Sequence, residues 1–199
     1  MKRYGVLFFV LLAAMFAGTS PTKASDKYTV LKDKPLDASR RPAEGKALIY
    51  FARPQMFGAA FKVKLYADGT FLGIVGPRTY IAYDCDPGKH EFIVAAENAG
   101  FLEANVEAGK IYIVQVAIHM GAWKARTHFE PARTGSEAME EFLKEASKLH
   151  AVVTTDEGLE WVNEKHAKTQ KTIKKYRAKG KEFETLKSGD GFDSPPWVK

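Results

Sequence analysis

The chain has 199 residues, with 30 Lys plus Arg against 24 Asp plus Glu, and one cysteine. That length holds a domain with a real core, and a single cysteine excludes an internal disulfide framework. The formal net charge of +6 admits anionic partners but names none.

Residues 1–24 have the layout of a secretory signal peptide. Lys2-Arg3 form a basic start, Val6 to Ala17 is an apolar run of 12 residues, and Thr22-Lys23-Ala24 offers a cut after Ala24. The run is short for a membrane span, which needs roughly 20 residues. The alternative is an uncleaved N-terminal anchor. The only cysteine, Cys85, is far from the cut, so a lipoprotein anchor is not expected. Losing Lys2, Arg3 and Lys23 takes the net charge from +6 to +3. With no second long apolar run, the exported chain is expected to be soluble in the periplasm or envelope of a bacterium.

Residues 25–45 are polar, broken by Pro35 and Pro42, and read as a linker. Alternation with period two then runs through residues 46–131 and predicts eight strands. Phe61, Val63 and Leu65 share one face; Lys62, Lys64 and Tyr66 share the other. Asp68-Gly69 marks a tight hairpin and Asp86-Pro87-Gly88 another turn. His90, Phe92, Val94 and Ala96 form one face, and Leu102, Ala104 and Val106 an inward one. Lys110 to His119 is apolar on both sides, the mark of a covered central strand. Trp123, Ala125, Thr127 and Phe129 alternate with Lys124, Arg126, His128 and Glu130. Short strands joined by turn signals predict an antiparallel β-sandwich.

Residues 132–181 change to helical period. Thr134 and Glu137 have capping-box spacing, and Met139, Phe142, Leu143, Ala146 and Leu149 line one face. A second helix is expected from Glu157 to Lys179, with a sparse apolar face of Leu159, Val162, Ile173 and Tyr176. From Glu164 to Lys181 there are eight Lys or Arg and one acid. Residues 182–199, with Pro195-Pro196, read as a flexible tail.

The segments GKALIYFARP, FGAAFKVKLYADGTFLGIV, YDCDPGKHEFIVAA and VEAGKIYIVQVAI resemble the bacterial envelope family called domain of unknown function 2846, over about Gly45 to Pro131. The resemblance implies a small β-sandwich, similar in appearance to PEGA and carboxypeptidase-regulatory-like modules, and an envelope location. It implies no activity. Many members resemble lipoproteins, and this chain departs from them in lacking a lipidated cysteine.

Catalytic signatures are sparse. Cys85 and His90 flank a turn and are the best nucleophile–base candidates, but Cys85 shares a face with Ile81 and Tyr83, which suits burial. His90, His119, His128, His150 and His166 lack metal-ligand spacing, and the turn near Gly121 is expected to pair His128 with a residue around Val114, several positions from His119. No metal and no cofactor are expected. Asp68, Asp84 and Asp86 belong to turns, and Glu140-Glu141 to a polar helix face; no hydrolase elbow or phosphate loop is present. Arg53, Gln55 and Phe57 sit where two strands are separated by Pro54 and Gly58-Ala59-Ala60. They are either a ligand loop or, as the turn residues favour, a crossing between sheets.

The basic run is the strongest feature outside the fold. Lys165, Lys168, Lys171, Lys174, Lys175 and Arg177 could contact an anionic membrane surface or another acidic envelope partner, or simply face water. Nucleic acid is not expected, because no aromatic platform accompanies the lysines. The expectation is therefore an exported, non-catalytic binding or structural module. The alternatives are an enzyme using Cys85 and His90, and a subunit of an envelope complex docking through a sheet edge or its helices.

Overall fold

The computed structural model describes residues 24–32, 35–120, 125–180 and 183–198. The expected signal peptide, apart from Ala24, lies outside the described residues, as do residues 121–124, so the expected inward face at Trp123 and the expected turn near Gly121 lie outside them too.

All eight expected strands are present: β3 (Ala47–Arg53), β4 (Val63–Ala67), β5 (Thr70–Val75), β6 (Thr79–Cys85), β7 (Gly88–Ala95), β8 (Ala99–Val106), β9 (Ile111–Met120) and β10 (Ala125–Pro131). The β4–β5 hairpin turns on Asp68 and Gly69 at φ 48° and 82°, the double positive φ that fits a right-twisted ribbon. Four further short strands complete the sheets: β1 (Ala24–Asp26), β2 (Thr29–Lys32), β11 (His150–Thr154) and β12 (Phe183–Leu186). One sheet has the order β1-β2-β11-β6-β3-β9-β10; the other has β12-β8-β7-β4-β5.

The expected all-antiparallel arrangement is corrected. β3 runs parallel to β9, β11 to β6 and β12 to β8, so both sheets are mixed. Period two reports which face a side chain takes, not the direction of the neighbouring strand. Short strands also form within the segments expected as the linker at 25–45 and the tail at 182–199. β2 pairs with β11, with Val30 opposite Val153. β12 extends the β8 edge, Phe192 exchanges backbone hydrogen bonds with Ile111 at 2.8 and 2.9 Å, and Trp197 packs edge-on against Tyr50 at 5.0 Å. Strands of three or four residues carry too little alternation to be read locally; a neighbouring edge stabilises them.

The two sheets share one core. Ile49 and Phe51 of β3, Leu65 of β4, Phe92 and Val94 of β7, Leu102 of β8 and Val114 and Val116 of β9 all lie in it. β3 is buried along its whole length because its other face, Leu48, Tyr50 and Ala52, lies under the first helix. At one end the sheets approach closely. A Cβ on Gly100 of β8 would lie 2.9 Å from the Cα of His128 in β10. Beside it the buried Asn98 amide donates to the Thr127 carbonyl and accepts from the Thr127 N–H, each at 2.7 Å. β10 is an edge strand, and this amide occupies its exposed backbone groups.

Among the described residues three α-helices stand where two helices were expected: α1 (Glu137–Glu145), α2 (Asp156–Glu164) and α3 (His166–Arg177). Ser136, not Thr134, caps α1, its hydroxyl accepting from the Met139 N–H at 3.2 Å. α1 buries Met139 and Phe142 on the seven-stranded sheet and leaves Leu143 exposed. The second helical stretch breaks at Lys165, whose ψ of 0° leaves the helical region. α2 turns Trp161 toward Tyr28, with ring centroids 5.3 Å apart, and leaves Leu159 exposed. α3 instead lays Ile173 and Tyr176 on the outer face of the five-stranded sheet, beside Tyr66, Ile93 and Phe101. Two docking directions require the break. No described helix is long and apolar enough to cross a membrane.

Candidate functional site

The loop after β3 is organised by Arg53, which is fully buried. Its guanidinium donates to the carbonyls of Phe57 and Gly58 at 2.8 Å each and of Phe61 at 3.3 Å. Gly58 has φ 69°, and a Cβ there would meet Phe61 at 3.1 Å and Ile118 at 3.2 Å. Gln55 donates to Gln115 at 3.0 Å and to Glu141 at 2.9 Å. Arg53 and Gln55 therefore tie the loop to the fold, whereas Met56 and Phe57 remain about half exposed, at 53% and 48%.

Cys85 and His90 do not form a nucleophile–base arrangement. The Cys85 thiol is buried, and burial pushes it up to about 11. Both His90 nitrogens are engaged elsewhere, Nδ1 with Asp68 at 2.6 Å and Nε2 with the Asp86 carbonyl at 2.8 Å. Burial opposes the charged imidazole, yet these two hydrogen bonds hold His90 above its ordinary range.

The histidines of β9 and β10 lie closer than their register predicted. Arg126 pairs with His119, so His128 pairs with Ala117 and not with a residue near Val114. The His119 and His128 rings are 4.5 Å apart, and His128 Nε2 lies 2.6 Å from Glu130. That contact holds the Glu130 carboxyl below its usual range. Among the described residues no group of three His, Cys, Asp or Glu is placed to hold a metal ion.

α3 separates its charges from its buried side. Thr169 and Ile173 are buried, while Lys165, Lys168, Lys171, Lys174, Lys175 and Arg177 are exposed. Arg177 differs from the lysines. It makes a bidentate pair with Glu91 at 2.5 and 2.7 Å and lies 4.7 Å over the Phe101 ring, so it docks the helix. The five lysines make no ion pair among the described residues.

Between α3 and β4 lies a cleft of about 230 Å³ whose lining includes Lys62, Lys64, Trp161, Lys165, Lys168 and Thr169. Lys64 is only 5% exposed, and its ammonium sits 4.5 Å over the Trp161 ring. Burial first, and Lys168 second, lower it to about 8 from the ordinary 10.5. Glu97 is the one acid in the lining, and it is exposed. A larger cavity of about 600 Å³ opens across the same loop, with Arg78 and Lys148 at its rim. There the charge is already answered: Glu145 lies 2.9 Å from Lys148 and 3.9 Å from Arg78.

Alternation placed Lys62 and Lys64 together on the outward face of β4. It did not show that α2 and α3 would cover that face. The available signal was Lys64 beside Tyr66 on a face that a helix had to bury.

No curated protein matches the chain. Residues 43–128 match the family model described as "Protein of unknown function (DUF2846)". The match takes in β3 to β9 and half of β10, including Lys62 and Lys64, and stops before the helices. Over that stretch the chain resembles this family, and the α3 side of the cleft is built from residues beyond it.

Proposed function

We propose that this chain is an exported, non-catalytic module of the bacterial cell envelope that contacts an anionic partner through α3. In this reading the two sheets form a sandwich scaffold of the PEGA-like kind, and residues 1–24 are removed after Ala24. The observation that carries it is the row of exposed, acid-free lysines on α3, held to the sheet by the Arg177–Glu91 pair. A solvated helix face needs no such anchoring, and a cationic face that must meet a surface benefits from a fixed orientation.

The test is co-flotation with neutral and anionic vesicles at low and high salt, beside a variant carrying Lys171→Gln, Lys174→Gln and Lys175→Gln. Flotation on anionic vesicles only, suppressed by salt and lost in the variant, supports the reading. No flotation under any condition rejects an anionic membrane as the partner. N-terminal sequencing of the protein recovered from a periplasmic extract tests the export step; Ser25 is the expected first residue.

A further inference from the structure

We propose that the cleft between α3 and β4 is a binding site for one phosphate or phosphomonoester group, held by Lys64 at its base and by Lys168 and Lys165 at its mouth. The inference deepens the anionic-partner reading and rests on it for the sign of the ligand.

Three observations converge on this ligand. The Lys64 ammonium is buried and has no carboxylate partner among the described residues; it sits over the Trp161 ring. A cation over an aromatic face recovers part of the lost hydration, not all of it. Lys168 stands close enough to push against Lys64, and Lys165 lines the same space. Like charges collected around one cavity are relieved by an anion placed between them. The cleft, at about 230 Å³, lies below the roughly 300–1,000 Å³ of sites for drug-sized ligands. It therefore takes a compact oxyanion or the end of a larger molecule. Thr169, buried in the wall, adds a hydroxyl, and the first turn of the 12-residue α3 adds its positive dipole end.

The site carries its own signature. The charged groups facing Lys64 are Lys62 from the approach to β4, Glu97 from the β7–β8 turn, and Lys165 and Lys168 from the start of α3. Above about pH 8 the folded protein has begun to lose the Lys64 proton. An anion in the cleft restores the charged form, so binding there must take up a proton.

Calorimetric titration of the full chain with inorganic phosphate, at low ionic strength and about pH 8.5, in two buffers of different ionisation enthalpy, reads both quantities. Saturable binding with proton uptake is expected. Lys64→Met should weaken it roughly tenfold or more. Lys64→Arg should keep the binding and abolish the proton uptake, because a guanidinium stays charged; this variant stands in if the methionine variant fails to fold. Glucose 1-phosphate and phosphatidic-acid vesicles distinguish a soluble phosphomonoester from a lipid headgroup. Phosphate binding that persists unchanged in Lys64→Met, or no saturable binding by wild type, overturns the proposal. The α3 triple glutamine variant leaves the cleft intact, so loss of flotation with retained phosphate binding, or the reverse, shows which reading failed.

Discussion

Arg53 and Lys64 are both buried cations, on successive strands joined by one loop, and the fold treats them in opposite ways. Arg53 gathers three backbone carbonyls into its guanidinium fork. Burial lowers it to about 10, so it stays charged at neutral pH. Lys64 has an aromatic face beneath it and another lysine above it. The first cation is consumed by the structure. The second is left with its charge unanswered, which is the arrangement of a site waiting for an anion.

The largest test of that contrast removes the cation that binds the loop carbonyls, Arg53. Arg53→Met should destabilise the protein by about 3–5 kcal/mol, since it strips charge-assisted bonds from the half-buried loop carbonyls and leaves a buried site without its side-chain donors. Urea unfolding with an unchanged slope would report it. The same substitution at the unsatisfied cation should act with the other sign: Lys64→Met should stabilise by about 2 kcal/mol near neutral pH, because it relieves a buried, unpaired charge. The pH dependence follows in the same direction. Between about 8 and the ordinary 10.5 the unfolded chain keeps the Lys64 proton that the folded chain has lost. The unfolded state then binds more protons, so stability rises with pH across that window, and the rise should be absent from Lys64→Met. Thermal unfolding at a series of pH values in phosphate-free buffer measures both.

A smaller effect sharpens the Arg53 half of the comparison. Gly58→Ala should cost about 1–2 kcal/mol, from positive φ and from crowding by Phe61 and Ile118. A neutral result would mean that the carbonyl cradle around Arg53 tolerates rearrangement. Smallest of all, Lys171→Gln, Lys174→Gln and Lys175→Gln together should shift stability by less than about 0.5 kcal/mol, since these side chains are exposed. A larger loss would show that the α3 lysines serve the fold.

Much of the β region was legible because its signals are local. Thr127 and Phe129 alternate with Arg126 and His128 and are buried as alternation requires. Asp68-Gly69 makes the expected tight turn, and β9, apolar on both faces, lies between β3 and β10. The cap of α1 was misplaced by two residues because Thr134 and Ser136 both precede the helical period, and only geometry shows which hydroxyl reaches an N–H. The His119–His128 approach was missed because it depends on a three-residue change in register, from Val114 to Ala117 opposite His128. The cleft was missed for a different reason: its lysines come from β4 and α3, about 100 positions apart in the chain.

Alternation, turn chemistry and helical period are properties of neighbouring residues, so they set which stretches become strands and which face each side chain takes. Partner choice is not local. The parallel pairing of β3 with β9, the capture of β2 against β11 and of β12 against β8, and the break at Lys165 all arise when separate elements compete to cover the same apolar faces. Burial of Lys64 belongs with them. On its own strand it is an outward-facing lysine, and it becomes a desolvated charge only when α2 and α3 close over it.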